Sequence, residues 1–300
     1  MNHRNRIRMQ SIVKATCAPV AVALVTAALV TGGWSSGSAT AKTRSGPTPA
    51  HLVTPGIRKS GKVVAITTPY PPAEILEKTG KTYTGWEIQL TNAVAKLLHL
   101  QVSYLTATNT DDIPSVESGR AQISPGSWTI TAQREKIVQF VPDFLAGTQF
   151  FLSKSSTLTV NSKSALCGLS VAVLAATIEA TAAEAQTKKC KASGKAKIDI
   201  QDYPTEAAVT LAIESGRAEV GWTGSPQAEY LVEQQPSKFK LGGKDFTVAP
   251  LGIIVSKHLP GLAQAMTAAM NTLIKKGTYA RILKDWGVSS GSIQRSVLMK

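Results

Sequence analysis

Apolar residues recur along the chain at two spacings, every second position in some segments and every third or fourth in others. Val102 and Tyr104 alternate with polar neighbours, which predicts a strand, whereas Trp86, Leu90 and Val94 share one face at helical spacing. Further strands are predicted at 62–67, 149–152, 171–174 and 219–222, and further helices at 205–215, 262–273 and 279–286. Because strands and helices alternate, we expect an α/β fold with mostly parallel sheets flanked by helices, which binds ligands at the carboxyl ends of its strands.

The first 41 residues have the composition of a secretory signal peptide. Basic residues without acidic ones precede an uncharged apolar run at 18–30, and Ala39-Thr40-Ala41 offers a small-residue cleavage site. Trp34 stands where a lipoprotein signal needs cysteine, so we expect no lipid anchor. We therefore predict an exported protein, at the extracellular face of the cytoplasmic membrane, in the cell wall or in the periplasm. Three prolines in the polar segment 42–56 predict a flexible tether.

Export limits what the charge and the cysteines of this chain mean. The formal net charge is +14 over 300 residues, but the lysines are scattered rather than striped, and we expect no nucleic-acid partner. Cys167 and Cys190 remain once the leader is removed, and an even pair in an oxidising compartment favours a disulfide over two buried thiols. The four histidines are far apart and no C-x-x-C motif is present, so we expect no metal site and no cofactor.

The segment 126–140, GSWTITAQREKIVQF, has the composition of an anion-binding loop. A run of small residues leads into Thr129 and Thr131, and Arg134 follows. Backbone N–H groups, hydroxyls and one planar guanidinium can together hold both oxygens of a carboxylate. The alternative is a solvated surface arginine, which this spacing alone does not exclude.

Five segments carry motifs whose order and spacing are specific as a set. They read TGWEI at 84–88, IPSVESGR at 113–120, TITAQR at 129–134, CGLSVAV at 167–173 and GTYARILKDWG at 277–287. Together they resemble the family 3 solute-binding proteins of bacterial amino-acid ABC transporters, and the resemblance extends over about residues 57–289.

The resemblance implies a periplasmic-binding-protein-like (type II) α/β fold, with two lobes, a hinge and a ligand cleft between the lobes. Lobe one would be 57–146 plus 250–290, lobe two 147–249, and 291–300 a C-terminal tail. It implies a monomer without catalytic residues that captures a small carboxylate-bearing solute, an amino acid or similar, for an ABC permease. Two alternatives stay open, a ligand-sensing module for a separate receptor and a dehydratase-like enzyme for small acids on the same fold.

The resemblance also assigns ligand-binding roles. Arg134 would bind a carboxylate together with Ser127 and Thr129, on a loop that Gly126 leaves open. A second contact would come from the start of a helix, where N–H groups point at the anion. The other positions implied are Ala176 and Thr177 at that helix start, Tyr70 packed on the ligand, Trp128 or Trp222 as an aromatic wall, and Gly224 where the family has an aspartate.

The ammonium side of the family's site is altered in this sequence. Gly224 and Thr68 occupy the two aspartate positions, and Asn109 replaces an aromatic residue. Because a buried ammonium without a carboxylate is costly, we expect weak binding of ordinary L-amino acids and a ligand whose amine is methylated, displaced or absent. The rival hypothesis is that another acid takes over. Four acids lie near the matched segments, each more typical of a solvated surface: Glu74, Asp111, Asp112 and Glu179.

Overall fold

The computed structural model describes residues 49–299. The predicted signal peptide, 1–41, and residues 42–48 of the predicted tether lie outside the described residues. Within 49–299, no helix combines the length and the apolar composition needed to span a bilayer.

Ten strands and nine α-helices make up the described part of the chain. The strands are β1 Lys62–Thr67, β2 Ile75–Leu76, β3 Tyr83–Thr84, β4 Gln101–Thr106, β5 Ile123–Thr129, β6 Val138–Ser153, β7 Ser170–Leu174, β8 Asp199–Tyr203, β9 Val220–Gly224 and β10 Phe239–Ser256. The helices are α1 Pro55–Ser60, α2 Trp86–Leu97, α3 Asn109–Glu117, α4 Ala132–Glu135, α5 Ile178–Ala192, α6 Glu206–Glu214, α7 Ser225–Gln234, α8 Pro260–Lys275 and α9 Thr278–Asp285. Short 3-10 helices lie at Pro49–Leu52, Lys163–Leu166 and Ser289–Gly291.

Eight of the strands form one mixed sheet in the order β4-β1-β5-β10-β6-β9-β7-β8. Both ends of the sheet are parallel, as expected, with β1 pairing β4 and β5, and β7 pairing β8 and β9. The centre differs from the expectation of mostly parallel pairing, because β10 runs antiparallel to both β5 and β6. β6 and β10 are 16 and 18 residues long, and they pass side by side from one end of the sheet to the other. Because the chain crosses the sheet along β6 and returns beside it along β10, the two strands run in opposite directions.

The buried core falls into clusters on either side of this crossing. Two clusters draw their buried residues from 53–146 and 251–288, and the other two from 150–239. The predicted helical stripe of Trp86, Leu90 and Val94 is fully buried in the first group. The lobe boundaries at 146/147 and 249/250 stay a prediction, and we keep the terms lobe one and lobe two for those segments.

The cysteine prediction is confirmed. Cys167 and Cys190 are joined in a disulfide that ties the end of α5 to the turn before β7. Cys190 lies in a buried cluster with Val171 and Val173, so the bond forms part of the core of lobe two.

Both segments outside the predicted lobes are folded onto lobe one where they are described. Residues 49–56, predicted as part of a flexible tether, form a 3-10 helix and the start of α1, and Val53 is buried in the core. In the predicted tail, the N–H of Ser296 donates to Asn271 Oδ1 on α8, and Met299 forms a β-bridge with Phe140. Apolar and hydrogen-bonding contacts with α8 and β6 therefore hold segments that composition alone marks as flexible.

Candidate functional site

A cavity of about 50 Å³ lies where β5, β7 and β9 end, at their carboxyl ends. Its lining includes eight of the nine predicted site residues, and these come from both lobes: Tyr70, Gly126, Ser127, Trp128, Thr129, Arg134, Thr177 and Gly224. The ninth, Ala176, does not line the cavity, but its carbonyl contacts Arg134. The structure thus brings together residues that lie up to 154 positions apart in sequence.

Arg134 is held in place by its helix and by two carbonyl groups. Thr131 caps α4 by accepting a hydrogen bond from the N–H of Arg134 at 3.2 Å. The guanidinium donates from Nη1 to the carbonyl of Thr129 and from Nη2 to that of Ala176, each at 2.9 Å. Its Cζ also lies 4.9 Å from the ring centre of Trp128.

The charge of Arg134 has no close acidic partner in the described part of the chain. Within 49–299, the one ion pair closer than 4.0 Å joins Lys238 to Glu214. Burial lowers the pKa of Arg134, and the charge of Glu179 opposes that shift. A guanidinium has five N–H donors, and two are used on carbonyls. The group therefore stays a cation and has donors left for an anion in the cavity.

The loop of Gly126 and Ser127 is less available to a ligand than the sequence suggested. Glu87 accepts hydrogen bonds from the N–H of Gly126 at 3.3 Å and from the N–H and hydroxyl of Ser127 at 2.7 and 2.9 Å. Ser127 adopts a left-handed conformation with φ of 49°. These donors already bond Glu87, and both residues line the cavity. The contact of Ser127 with the ligand's carboxylate stays a prediction.

Glu87 belongs to a buried group of three carboxyls behind the cavity. Glu74 and Asp143 are each fully buried beside it. Burial, and then the charge of Glu87, raise the pKa of Glu74 and Asp143 well above ordinary values. Sequence reasoning missed Glu87 as a support of the loop, although its motif TGWEI was a signal.

The start of α5 contributes Thr177 and Glu179 to the cavity. The hydroxyl of Thr177 accepts from the N–H of Ala180 at 3.2 Å and donates to the carbonyl of Leu174 at 2.7 Å, so it is occupied with capping the helix. Glu179 is only 6% exposed and lines the cavity. Burial raises its pKa, while its own N–H, Arg134, Thr177 and Lys163 all oppose the rise.

Tyr70 fills the space beside Gly224. Its hydroxyl lies 2.9 Å from Thr223 Oγ1 and accepts from the N–H of Gly224 at 3.0 Å. A Cβ placed at position 224 would lie 2.5 Å from Gln227 Oε1 and 3.0 Å from the Tyr70 hydroxyl. A side chain at this position would therefore displace both groups.

The remaining candidates divide between cavity and core. Asn109 lines the cavity and donates from Nδ2 to the carbonyl of Ala175 at 2.8 Å, whereas Thr68 bonds the carbonyl of Ala107 away from it. Trp222 is core, packed on Phe150.

The four acids near the matched segments also divide. Asp111 is exposed and bonds Thr108 at the start of α3, as a surface residue can. The surface interpretation is wrong for Glu74, Asp112 and Glu179, which are all buried. Of the four, Glu179 alone lines the cavity.

Comparison with known proteins identifies relatives over most of the chain. A family model described as bacterial extracellular solute-binding proteins, family 3, matches residues 63–289. The arginine-binding protein ArgT of Corynebacterium glutamicum is 28% identical over 231 residues, 77% of this chain and 75% of that protein. The ABC transporter glutamine-binding protein GlnH of Bacillus subtilis is 25% identical over 205 residues, 67% of this chain and 72% of that one.

Solved structures also resemble this chain. An ancestral arginine-binding protein bound to arginine superposes with a TM-score of 0.68 at 26% identity, over 75% of this chain and 98% of its own. An ancestral amino-acid-binding protein, a precursor of cyclohexadienyl dehydratase, gives a TM-score of 0.68 at 30% identity over 77% of this chain and 97% of its own. These neighbours have the two-lobed periplasmic-binding-protein-like fold.

Proposed function

Because this chain belongs to the bacterial extracellular solute-binding proteins of family 3, we propose that it captures a small carboxylate-bearing solute outside the cytoplasm for an ABC importer. The solute is an amino acid or an amino-acid-like molecule. The observation that carries the proposal is Arg134, a guanidinium oriented by two carbonyls, with unused donors facing a cavity between the lobes. Planar guanidinium groups bind carboxylates through two parallel hydrogen bonds.

Closure of the two lobes completes the site in this proposal. Direct hydrogen bonds already cross the cleft from Tyr70, Asn109 and Arg134 in lobe one to lobe two. A solute held between the same surfaces adds its own contacts to both lobes. It shifts the protein toward the closed form by as much as its affinity for the closed form exceeds its affinity for the open form. The closed form is the one that a permease would recognise.

Relatives with named functions favour capture over catalysis and over sensing. The two relatives compared above are named as an arginine-binding protein and as a glutamine-binding protein of an ABC transporter. The likeness to a dehydratase precursor keeps the enzyme hypothesis in view. Incubating the protein with small cyclic acids and following product formation separates solute capture from catalysis, since a binding protein returns its ligand unchanged.

Replacing Arg134 with alanine tests the carboxylate site. We expect affinity for carboxylate solutes to fall by about tenfold to a hundredfold, because hydrogen bonds to a charged group contribute roughly 1.5–3 kcal/mol. Thermal-shift screening against L-arginine, L-glutamine, glycine betaine and butyrate selects a ligand, and calorimetry then measures its affinity for the variant.

Arg281→Ala is the matched control, since Arg281 is exposed on α9 and far from the cavity lining. This variant should bind the ligand as the wild type does. An unchanged affinity in Arg134→Ala would remove Arg134 from the site. A melting temperature that no solute raises would count against solute capture itself.

A further inference from the structure

The described lining of the cavity contains one acid and one base, Glu179 and Arg134. Glu179 lies in the first turn of α5, and Arg134 belongs to α4 on the other side of the cleft. Their charges act on each other, since each favours the ionised form of the other. The cavity therefore presents one basic and one acidic group to whatever enters it.

Other positions that could supply a negative charge are closed to the ligand. At position 224 the Tyr70 hydroxyl and the Gln227 side chain occupy the space of a larger residue. Glu74 lies behind the wall of the cavity, in the cluster of three buried acids that includes Glu87. Asp112 contacts Ser124 in the core. Glu206 bonds Thr223 and does not line the cavity. Among the described residues Glu179 is therefore the acid that a positive group in the cavity would meet.

The charge of the solute decides how well it satisfies this pair. A simple carboxylate bound to Arg134 would bring a second negative charge next to Glu179 in a buried space, where like charges repel strongly. It would also neutralise Arg134, one of the two positive side chains, Arg134 and Lys163, that favour the ionised form of Glu179. A solute with a positive group as well as a carboxylate pairs with both residues.

We propose that Glu179 binds the positively charged group of the solute and selects zwitterionic or cationic carboxylates over simple carboxylates. This rests on the proposed function, because it assumes that the cavity binds a solute. It also favours the hypothesis in which an acid other than those of the family's usual pattern takes over the ammonium. The α-ammonium of an amino acid is then admitted if it reaches Glu179.

Calorimetry with matched probes tests the proposal. Butyrate and 4-aminobutyrate have the same carbon chain and differ by one ammonium, and L-arginine and glycine betaine add other cationic groups. We expect the wild type to bind at least one of the three positively charged probes more tightly than butyrate. In Glu179→Gln that probe should lose about tenfold to a hundredfold in affinity, while butyrate should bind as well or better.

Glu184→Gln is the control, because Glu184 is exposed on the same helix and its replacement changes the net charge equally. It should leave every affinity unchanged. An equal affinity of butyrate and all three charged probes for the wild type would overturn the proposal, even if Glu179→Gln did not fold. So would a Glu179→Gln variant that binds the charged probes as the wild type does, and in that case solute capture would still stand. If none of the four probes bound, both this proposal and the proposed function would fail.

Discussion

Asp112 shows at the scale of one residue how burial controls a charge. It is 1% exposed, next to the hydroxyl of Ser124, and burial raises its pKa to about 8. In the unfolded chain an aspartate ionises near pH 4. The folded state therefore holds one more proton than the unfolded state between about pH 4 and pH 8. The stability that this proton contributes is fully present below pH 4, falls steadily as the pH rises from 4 to 8, and is lost above the folded pKa.

Replacing Asp112 with asparagine should remove this dependence. We expect the free energy of unfolding of the wild type to fall between pH 5 and pH 7 more steeply than that of Asp112→Asn, by about 1.4 kcal/mol per pH unit. Urea unfolding at pH 5, 6 and 7 gives the comparison. The exposed neighbour Asp111, whose pKa is lowered by bonds from Thr108, is the control. Asp111→Asn should shift stability by the same amount at all three pH values. Parallel curves for Asp112→Asn and the wild type would contradict the pKa shift.

Sequence reasoning located eight of the seventeen described residues that line the cavity but misjudged several of their partners. Arg134 and Thr129 were found because their motif is local, with six residues that fold as one turn and a helix start. Glu87 was missed as the partner of Ser127 because the two are 40 positions apart and meet only in the folded chain. Glu179 was assigned to the surface since an isolated acid at a helix start is commonly exposed, whereas in the folded chain it is buried.

At the scale of elements, α5 links the cavity to the disulfide. Thr177 caps its start, its first turn carries Glu179, and its last turn carries Cys190. The bond to Cys167 fixes the end of the helix that lies away from the ligand. We infer that the disulfide serves the stability of lobe two rather than the chemistry of the cavity.

Replacing both cysteines with alanine should separate these roles. The loop between them spans 23 positions, and closing a loop of that size contributes roughly 3 kcal/mol on the chain-entropy model. We expect the free energy of unfolding to fall by about that amount, with solute affinity unchanged. Urea unfolding and calorimetry measure the two quantities, and the wild type with and without reductant is the control. A loss of affinity in a folded double variant would show that the bond also positions the start of α5.

The element pattern was predicted better than the way the elements pair. β1 was predicted at 62–67 and is observed there, and α6 begins and ends within one residue of its prediction. The predicted strand 149–152 is instead part of the 16-residue β6. Only part of β6 shows the apolar pattern of a strand buried on both faces, and its antiparallel pairing with β10 depends on residues about 100 positions away.

At the scale of the whole molecule, Tyr70 joins the two lobes directly. Its ring packs against a core cluster of lobe two, and its hydroxyl contacts Thr223 and Gly224.

Tyr70→Phe should shift the solute-free protein toward open forms, because each of the two hydrogen bonds contributes about 0.5–1.5 kcal/mol to closure. Spin labels at exposed positions 110 and 184, one in each lobe, report the distance. Tyr230→Phe on α7 is the control and should leave the distances unchanged. Identical distributions for Tyr70→Phe and the wild type would show that this contact does not favour closure.

The paired crossing of β6 and β10 also makes the chain modular. Ala146 and Ala249 are partners in the sheet, so the two ends of the predicted lobe-two segment, 147–249, lie side by side. A segment whose two ends are neighbours can be excised and replaced with little effect on the frame that carries it. Lobe two could therefore be exchanged between relatives as a cassette, bringing its own Thr177, Glu179 and Gly224 while Arg134 stays behind. Recombination at two neighbouring points would then change half of the binding site in one step.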